Sequence, residues 1–107
     1  MTDRELLELA AKAAGIEGRF IGGFDHLGLC ISELGNPIKV WWNPLTDDGD
    51  ALRLAVKLNL SIVQTGMAVN VSVVGCRSSM EPNQSDPYSA TRRAIVRAAA
   101  EIGKGMK

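Results

Sequence analysis

Two neighbouring arginines near the C-terminus carry the chemistry that is easiest to recognise in this sequence. Arg92 and Arg93 fall in the first half of a predicted helix. The free N–H groups at a helix start favour anions, and guanidinium groups match phosphate oxygens. Tyr88 comes shortly before them, and the predicted loop upstream contributes Arg77 and Asn83.

Two tryptophans add aromatic faces on which a base can stack. Trp41 and Trp42 lie together in a predicted strand. The sequence therefore predicts the parts of a nucleotide pocket, with these candidate ligand-binding residues: Trp42, Arg77, Asn83, Tyr88, Arg92 and Arg93. An alternative stays open at this point, in which the arginines form a solvated face and the tryptophans belong to the core.

Metal binding and catalysis have little support in the sequence. His26 is the single histidine, with Asp25 beside it and Cys30 four residues later. A zinc site needs three or four convergent ligands, so Cys76 would have to fold in as well. The glycines match neither a phosphate-binding loop nor a dinucleotide fingerprint, and no nucleophile elbow occurs. We therefore expect no cofactor, no metal and no enzymatic activity.

Three helices are predicted from capping residues and helical spacing. Thr2 and Glu5 form a capping box ahead of a helix over 3–14, which Gly15 ends. Asp47, Asp48 and Asp50 crowd the start of a helix over 48–59, and we interpret them as capping groups rather than as a catalytic acid cluster. A third helix begins at 87, where proline suits the first position, and runs to 102, with glycine at 103 as its predicted end.

Five short apolar runs predict strands, at 20–21, 27–31, 38–42, 61–65 and 68–74, and the segment 75–85 is predicted as a polar loop. The order of these elements predicts an α+β fold, specifically a layered α/β/α sandwich with a mainly antiparallel sheet. At 107 residues the chain is expected to form a single domain over 1–107.

The last helix is apolar over a wider arc than packing on one sheet requires. A stripe of Thr91, Ile95, Ala98 and Ile102 should face the sheet, whereas Val96 lies on the shoulder of the stripe beside Arg92. This pattern predicts a second contact, such as a symmetric partner in a homo-oligomer. The alternative is that Val96 is merely an exposed apolar residue.

Charge and composition exclude several classes of protein. Twelve basic residues balance twelve acidic ones, so the strongly basic surface of a general nucleic-acid binder is not expected. No apolar run reaches the roughly 20 residues of a membrane span, and the polar N-terminus is unlike a signal peptide. We therefore expect no membrane association and a cytoplasmic location, where both cysteines would be free thiols.

Three segments resemble the phage ABA-sandwich family, which comprises small accessory proteins of tailed bacteriophages. The segments are TDRELLELA (2–10), WNPLTDDGDALRLAVKL (42–58) and DPYSATRRAIVRAAA (86–100). They cover all three predicted helices, whereas the strands match only by their place between them.

The layout is also similar to that of the phage Thoeris anti-defence sponge proteins. Those proteins sequester cyclic ADP-ribose isomers made by bacterial TIR-domain enzymes, and some also hold cyclic oligonucleotides as dimers assembled into hexamers. Arginines on their last helix contact phosphate, so the resemblance implies this role for Arg92 and Arg93, with Trp42 or Tyr88 as the aromatic contact.

Two functions follow as expectations. The first is a non-enzymatic anti-defence protein that sequesters a nucleotide-derived immune signal in the cytoplasm of an infected bacterium. The second is a phage accessory protein that binds a host or phage protein through the Val96 shoulder or the tryptophan strand.

Overall fold

The computed structural model describes residues 2–16, 19–22, 27–31, 40–73, 77–82 and 86–106. These residues form an α+β fold with three helices and antiparallel strand pairs, so the predicted fold class is confirmed at this level. The elements follow the chain in this order: α1 (Asp3–Ala14), β1 (Arg19–Gly22), β2 (Leu27–Ile31), β3 (Val40–Trp42), α2 (Asp48–Lys57), β4 (Leu60–Gln64), β5 (Ala68–Val73), β6 (Arg77–Pro82) and α3 (Pro87–Lys104).

The predicted helix starts are confirmed by their capping bonds. Thr2 Oγ1 accepts a hydrogen bond from the Glu5 backbone N–H at 3.2 Å. The Asp47 side chain caps α2, and the Asp86 side chain caps α3 with proline in the first turn. Short polar side chains at these positions satisfy backbone donors that have no partner within the helix.

The helix ends are confirmed at one position only. Gly15 ends α1 in the left-handed conformation at φ 72°, which glycine adopts without steric cost. Helix α2 ends at Lys57 rather than at 59. The prediction that Gly103 ends α3 is wrong, because the helix continues to Lys104 and Gly103 is buried inside it.

The strands form two three-stranded antiparallel sheets, β1–β2–β3 and β4–β5–β6. In the second sheet, Ile62 is opposite Val71 and Gln64 is opposite Val69. Val69 and Val71 are fully buried, and Gln64 Nε2 donates to Thr91 Oγ1 of α3 at 3.0 Å. The face that includes these residues therefore lies toward α3, as predicted from the stripe on that helix.

The prediction of a polar loop over 75–85 is wrong for the residues described there. Residues 77–82 form β6, which pairs with β5 from Val73↔Arg77 to Ala68↔Pro82. The segment contains two serines, an arginine and a glutamate and lacks an apolar alternation, so periodicity indicated no strand. Backbone hydrogen bonding to a neighbouring strand does not require apolar side chains.

Helices α1 and α3 pack side by side and run in the same direction. Asp3 pairs with Arg93 near the two helix starts, and Lys12 Nζ donates to the Met106 carbonyl at the other end. Both helices are rich in small buried side chains: Ala10, Ala11, Ala14, Ala94, Ala98, Ala99 and Ala100 are all buried. Small side chains let two helix backbones approach closely and still exclude water.

The prediction that Val96 contacts a second subunit is wrong, and so is the alternative of an exposed Val96. Val96 is fully buried within the chain. Helix α3 contacts α1 and α2 as well as β5 and β6, so its wide apolar arc is covered by elements of the same chain. The helical pattern of apolar residues in α3 correctly predicted a second contact. Such a pattern does not distinguish a contact within the chain from a contact between chains.

We predict that Gly103→Ala destabilises the protein by about 2–3 kcal/mol, as overpacking does at a tight contact. A methyl group at this position would overlap the Leu9 backbone carbonyl of α1. Gly66→Ala is the matched control, because nothing lies within 4 Å of its added methyl group. Urea denaturation measures both free energies of unfolding, and equal stability of the two variants would contradict the packing argument.

Candidate functional site

The turn between β3 and α2 is closed by its own backbone and side chains. The Asn43 carbonyl accepts from the backbone N–H groups of Thr46 at 3.1 Å and Asp47 at 2.9 Å. The Asn43 side chain accepts from the Leu45 N–H at 3.0 Å. Asn43 itself is buried. The turn is therefore a defined structure, which we call the α2 turn (residues 43–50).

The three aspartates of the α2 turn have three separate tasks. Asp47 accepts from the Asp50 N–H at 2.8 Å and caps the helix. Asp50 is buried; one of its carboxylate oxygens accepts from the Asn43 N–H at 2.9 Å and the other pairs with Arg53 at 2.8 Å. Asp48 points elsewhere and pairs with Arg92. The capping role predicted for this cluster is confirmed for Asp47.

Arg92 connects α3 to the α2 turn. Its Nε donates to the Leu45 carbonyl at 2.9 Å, and its terminal nitrogen lies 2.6 Å from Asp48 Oδ1. The Arg92 side chain is 17% exposed, whereas that of Asp48 is 72% exposed. A desolvated guanidinium needs an anionic partner, and here an exposed carboxylate supplies it.

Tyr88 lies one helical turn before Arg92. It is 70% exposed, and its backbone N–H is held by the Asp86 cap at 3.0 Å. Residues four apart on a helix share a face. Tyr88 and Arg92 therefore lie on the same side of α3, and Tyr88 is open to solvent.

Arg93 does not join this face. Its guanidinium lies 3.0 Å from Asp3 at the start of α1. Adjacent helical residues point about 100° apart, so Arg92 and Arg93 contact different elements. The two arginines that the sequence predicts as one phosphate site therefore lie on different sides of α3.

The remaining candidate residues are placed as follows. Trp42 is 5% exposed and belongs to the core, so its ring offers no face to a ligand in this structure. For Trp42 this agrees with the alternative in which the tryptophans belong to the core. Arg77 opens β6. Asn83 lies outside the described residues, as do His26 and Cys76.

The structure therefore brings Arg92 together with two groups that the sequence did not indicate, Asp48 and the Leu45 carbonyl, and Tyr88 lies on the same side of α3. The sequence places Arg92 beside the buried stripe of α3, and its side chain is mostly buried in the structure. Its partner could not be found in the same way, because Asp48 is 44 residues away and resembles any other acidic residue at a helix start.

Within the described part of the chain, no group of three or more His, Cys, Asp or Glu residues is arranged to hold a metal ion. The described helices include none that is both long and apolar enough to cross a membrane. No protein-family model, curated protein or solved structure matches the chain.

We predict that Asp50→Ala destabilises the protein by about 1–3 kcal/mol, because the Asn43 N–H would be left buried without its acceptor. Arg53→Ala is the control: it removes the other partner of the same carboxylate, but its side chain is 72% exposed, so the expected loss is about 0–1 kcal/mol. Thermal or urea unfolding distinguishes the two. A larger loss for Arg53→Ala would show that the ion pair, and not the backbone bond, maintains the turn.

Proposed function

We propose that this protein binds and sequesters a nucleotide-derived anionic ligand without chemically altering it. The site we assign consists of Tyr88 and Arg92 on α3, with Asp48 of the α2 turn beside them. The observation that carries the proposal is the state of Arg92, a half-buried guanidinium anchored at Nε by the Leu45 carbonyl. Its terminal nitrogen faces a carboxylate that is exposed to solvent.

Exchange of Asp48 for a phosphate is energetically reasonable. Asp48 is 72% exposed, so its carboxylate stays solvated when it is displaced, and the phosphate replaces it as the anionic partner that the guanidinium needs. A phosphate oxygen can accept the same hydrogen bond and also match the planar guanidinium. Because Nε is held by Leu45, the guanidinium does not need to be ordered again when the ligand binds.

The exposed ring of Tyr88 supplies the second half of the proposed recognition. Stacking of a base on an aromatic side chain contributes about 1–3 kcal/mol. A ligand that carries both a phosphate and a base would reach both side chains from one face of the helix. The groups at this site bind and orient, so we propose a binding protein rather than an enzyme.

The class of ligand comes from the resemblance to phage ABA-sandwich and Thoeris anti-defence proteins. Cyclic ADP-ribose isomers and cyclic oligonucleotides combine phosphates with bases, as the site requires. In this proposal the protein acts in the cytoplasm of an infected bacterium as an anti-defence protein. A layered α/β/α arrangement and a homo-oligomer belong to the same proposal.

The alternative function is binding of a host or phage protein. The sequence predicts the Val96 shoulder and the tryptophan strand as its surfaces, but Val96 and Trp42 are both buried. Among the side chains that the structure describes, the exposed apolar ones around α2 and β4 offer a surface for a partner protein.

The experiment that tests sequestration is a calorimetric screen against cyclic ADP-ribose isomers and cyclic di- and trinucleotides, followed by heat denaturation of any complex. We expect one class to bind and to be recovered intact in the supernatant, because binding leaves the covalent bonds unchanged. Loss of the compound after incubation would instead indicate an enzyme, and no binding by any of the compounds would refute the proposal.

Variants on either side of the ion pair test the site itself. We predict that Arg92→Ala weakens binding by about 1.5–3 kcal/mol, as for a hydrogen bond to a charged group. Asp48→Ala should instead strengthen binding, because the carboxylate competes with the ligand for the same guanidinium. Arg97 is exposed on another face of α3, so Arg97→Ala should change affinity little.

The two variants are expected to change affinity in opposite directions, because Arg92→Ala weakens binding and Asp48→Ala strengthens it. This difference distinguishes a binding role of the ion pair from a structural one. If the ion pair only tethers the α2 turn to α3, the two variants should lower the free energy of unfolding similarly, and neither should alter affinity in a well-folded sample.

A further inference from the structure

Strand β4 is exposed on both of its faces. Ile62, on the side of the sheet toward α3, is 37% exposed, and Val63, on the opposite side, is 56% exposed. The side-chain exposure that the structure describes covers 2–16, 42–72 and 86–106, and five of the seven exposed large apolar side chains there lie between 52 and 67: Leu52, Val56, Ile62, Val63 and Met67, the other two being Tyr88 and Met106. Exposed apolar surface is therefore concentrated around this strand.

The backbone of β4 also has an open side. Among the described strands β4 pairs only with β5. The Thr65 N–H donates to the Ala68 carbonyl at 2.9 Å, which sets the alternation of antiparallel hydrogen bonds along the pair. Ser61 and Val63 therefore bond toward β5, and the backbone groups of Leu60, Ile62 and Gln64 point outward.

The two edges of this sheet differ in composition. Strand β6 contains Arg77, Glu81 and Pro82, residue types that protect an edge against further pairing. Strand β4 contains none, and the chain carries no charged residue from 58 to 76. An edge strand with apolar, β-branched residues and no charge is a template for another strand.

We propose that β4 pairs antiparallel with β4 of a second copy of this chain, about a two-fold axis at Ile62. In this register Ile62 exchanges backbone hydrogen bonds with the partner's Ile62, and Leu60 does so with the partner's Gln64. All the outward-pointing backbone groups of the strand are then satisfied, and the two three-stranded sheets become one continuous sheet.

A second copy fits this edge better than a charged partner for an electrostatic reason. The strand has no charge to offer an acidic or basic surface, and the chain has a formal net charge of zero, so two copies do not repel each other. Self-pairing brings Ile62 onto the partner's Ile62 and Val63 beside the partner's Ser61. Cross-strand apolar pairs stabilise such contacts.

Strand β4 alone does not bury enough surface area for a stable dimer. Stable dimers bury about 1,200–2,000 Å² in total, and a five-residue strand covers only part of that. Helix α2 contacts β4 and exposes Leu52 and Val56 one helical turn apart. We include this helix in the proposed interface. The proposed interface uses Leu52, Val56 and Ile62, which are not residues of the proposed ligand site, so dimerisation can be tested without the ligand.

The test is the oligomeric state of the full chain in solution, measured by sedimentation velocity over a dilution series. We expect a reversible dimer for the natural sequence. Ile62→Lys should weaken the dimer by at least about tenfold, because it places like charges opposite each other. Asn70→Lys is the control: Asn70 is exposed on the middle strand of the same sheet, so the same charge away from the edge should leave the dimer unchanged.

A charge-exchange experiment tests the register directly. Ile62→Lys and Ile62→Glu should each be monomeric, and their mixture should form a heterodimer, because position 62 faces itself across the axis. Circular dichroism verifies that each variant is folded. A monomeric natural chain, or a dimer that persists in Ile62→Lys, would overturn the proposal. A monomer that binds an unrelated protein at this edge would overturn it in favour of the partner-protein function.

Discussion

The close approach of α1 to α3 is the contact on which the rest of this structure depends. Buried alanines line both helices, and Gly103 lies against the backbone of Leu9. With α1 so close, α3 can pack on its other sides against α2 and against β5 and β6. A bulky residue at the contact between α1 and α3 would push the two helices apart. Because close-packed interiors transmit displacement, α2, β5 and β6 would shift as well.

Burial of α3 on several sides also limits where the chain can bind anything. Much of the helix surface is covered by the chain itself; near its start Tyr88 is exposed and Arg92 reaches across to the α2 turn. Within the turn, Asn43 and Asp50 accept hydrogen bonds from its backbone donors. A half-buried arginine between two fixed elements is pre-organised, and pre-organisation lowers the entropic cost of binding.

The exposed surface around β4 has a different character from the site on α3. It is apolar and uncharged, whereas the α3 site combines a cation, a carboxylate and an aromatic ring. Apolar edges favour strand pairing, and charged, partly buried groups favour small anions. Ligand binding and dimerisation therefore rest on different physical properties, and separate experiments test them.

Local chemistry made much of the fold predictable from sequence. Thr2, Asp47 and Asp86 marked the helix starts and Gly15 marked one helix end, because capping depends on residues a few positions apart. Tertiary contacts decided the rest. Strand β6 forms from polar residues because β5 is beside it, and Val96 is buried because α1 and α2 flank α3. Asp48 meets Arg92 because the α2 turn folds against α3, and contacts between residues so distant in sequence leave no periodic signal to read.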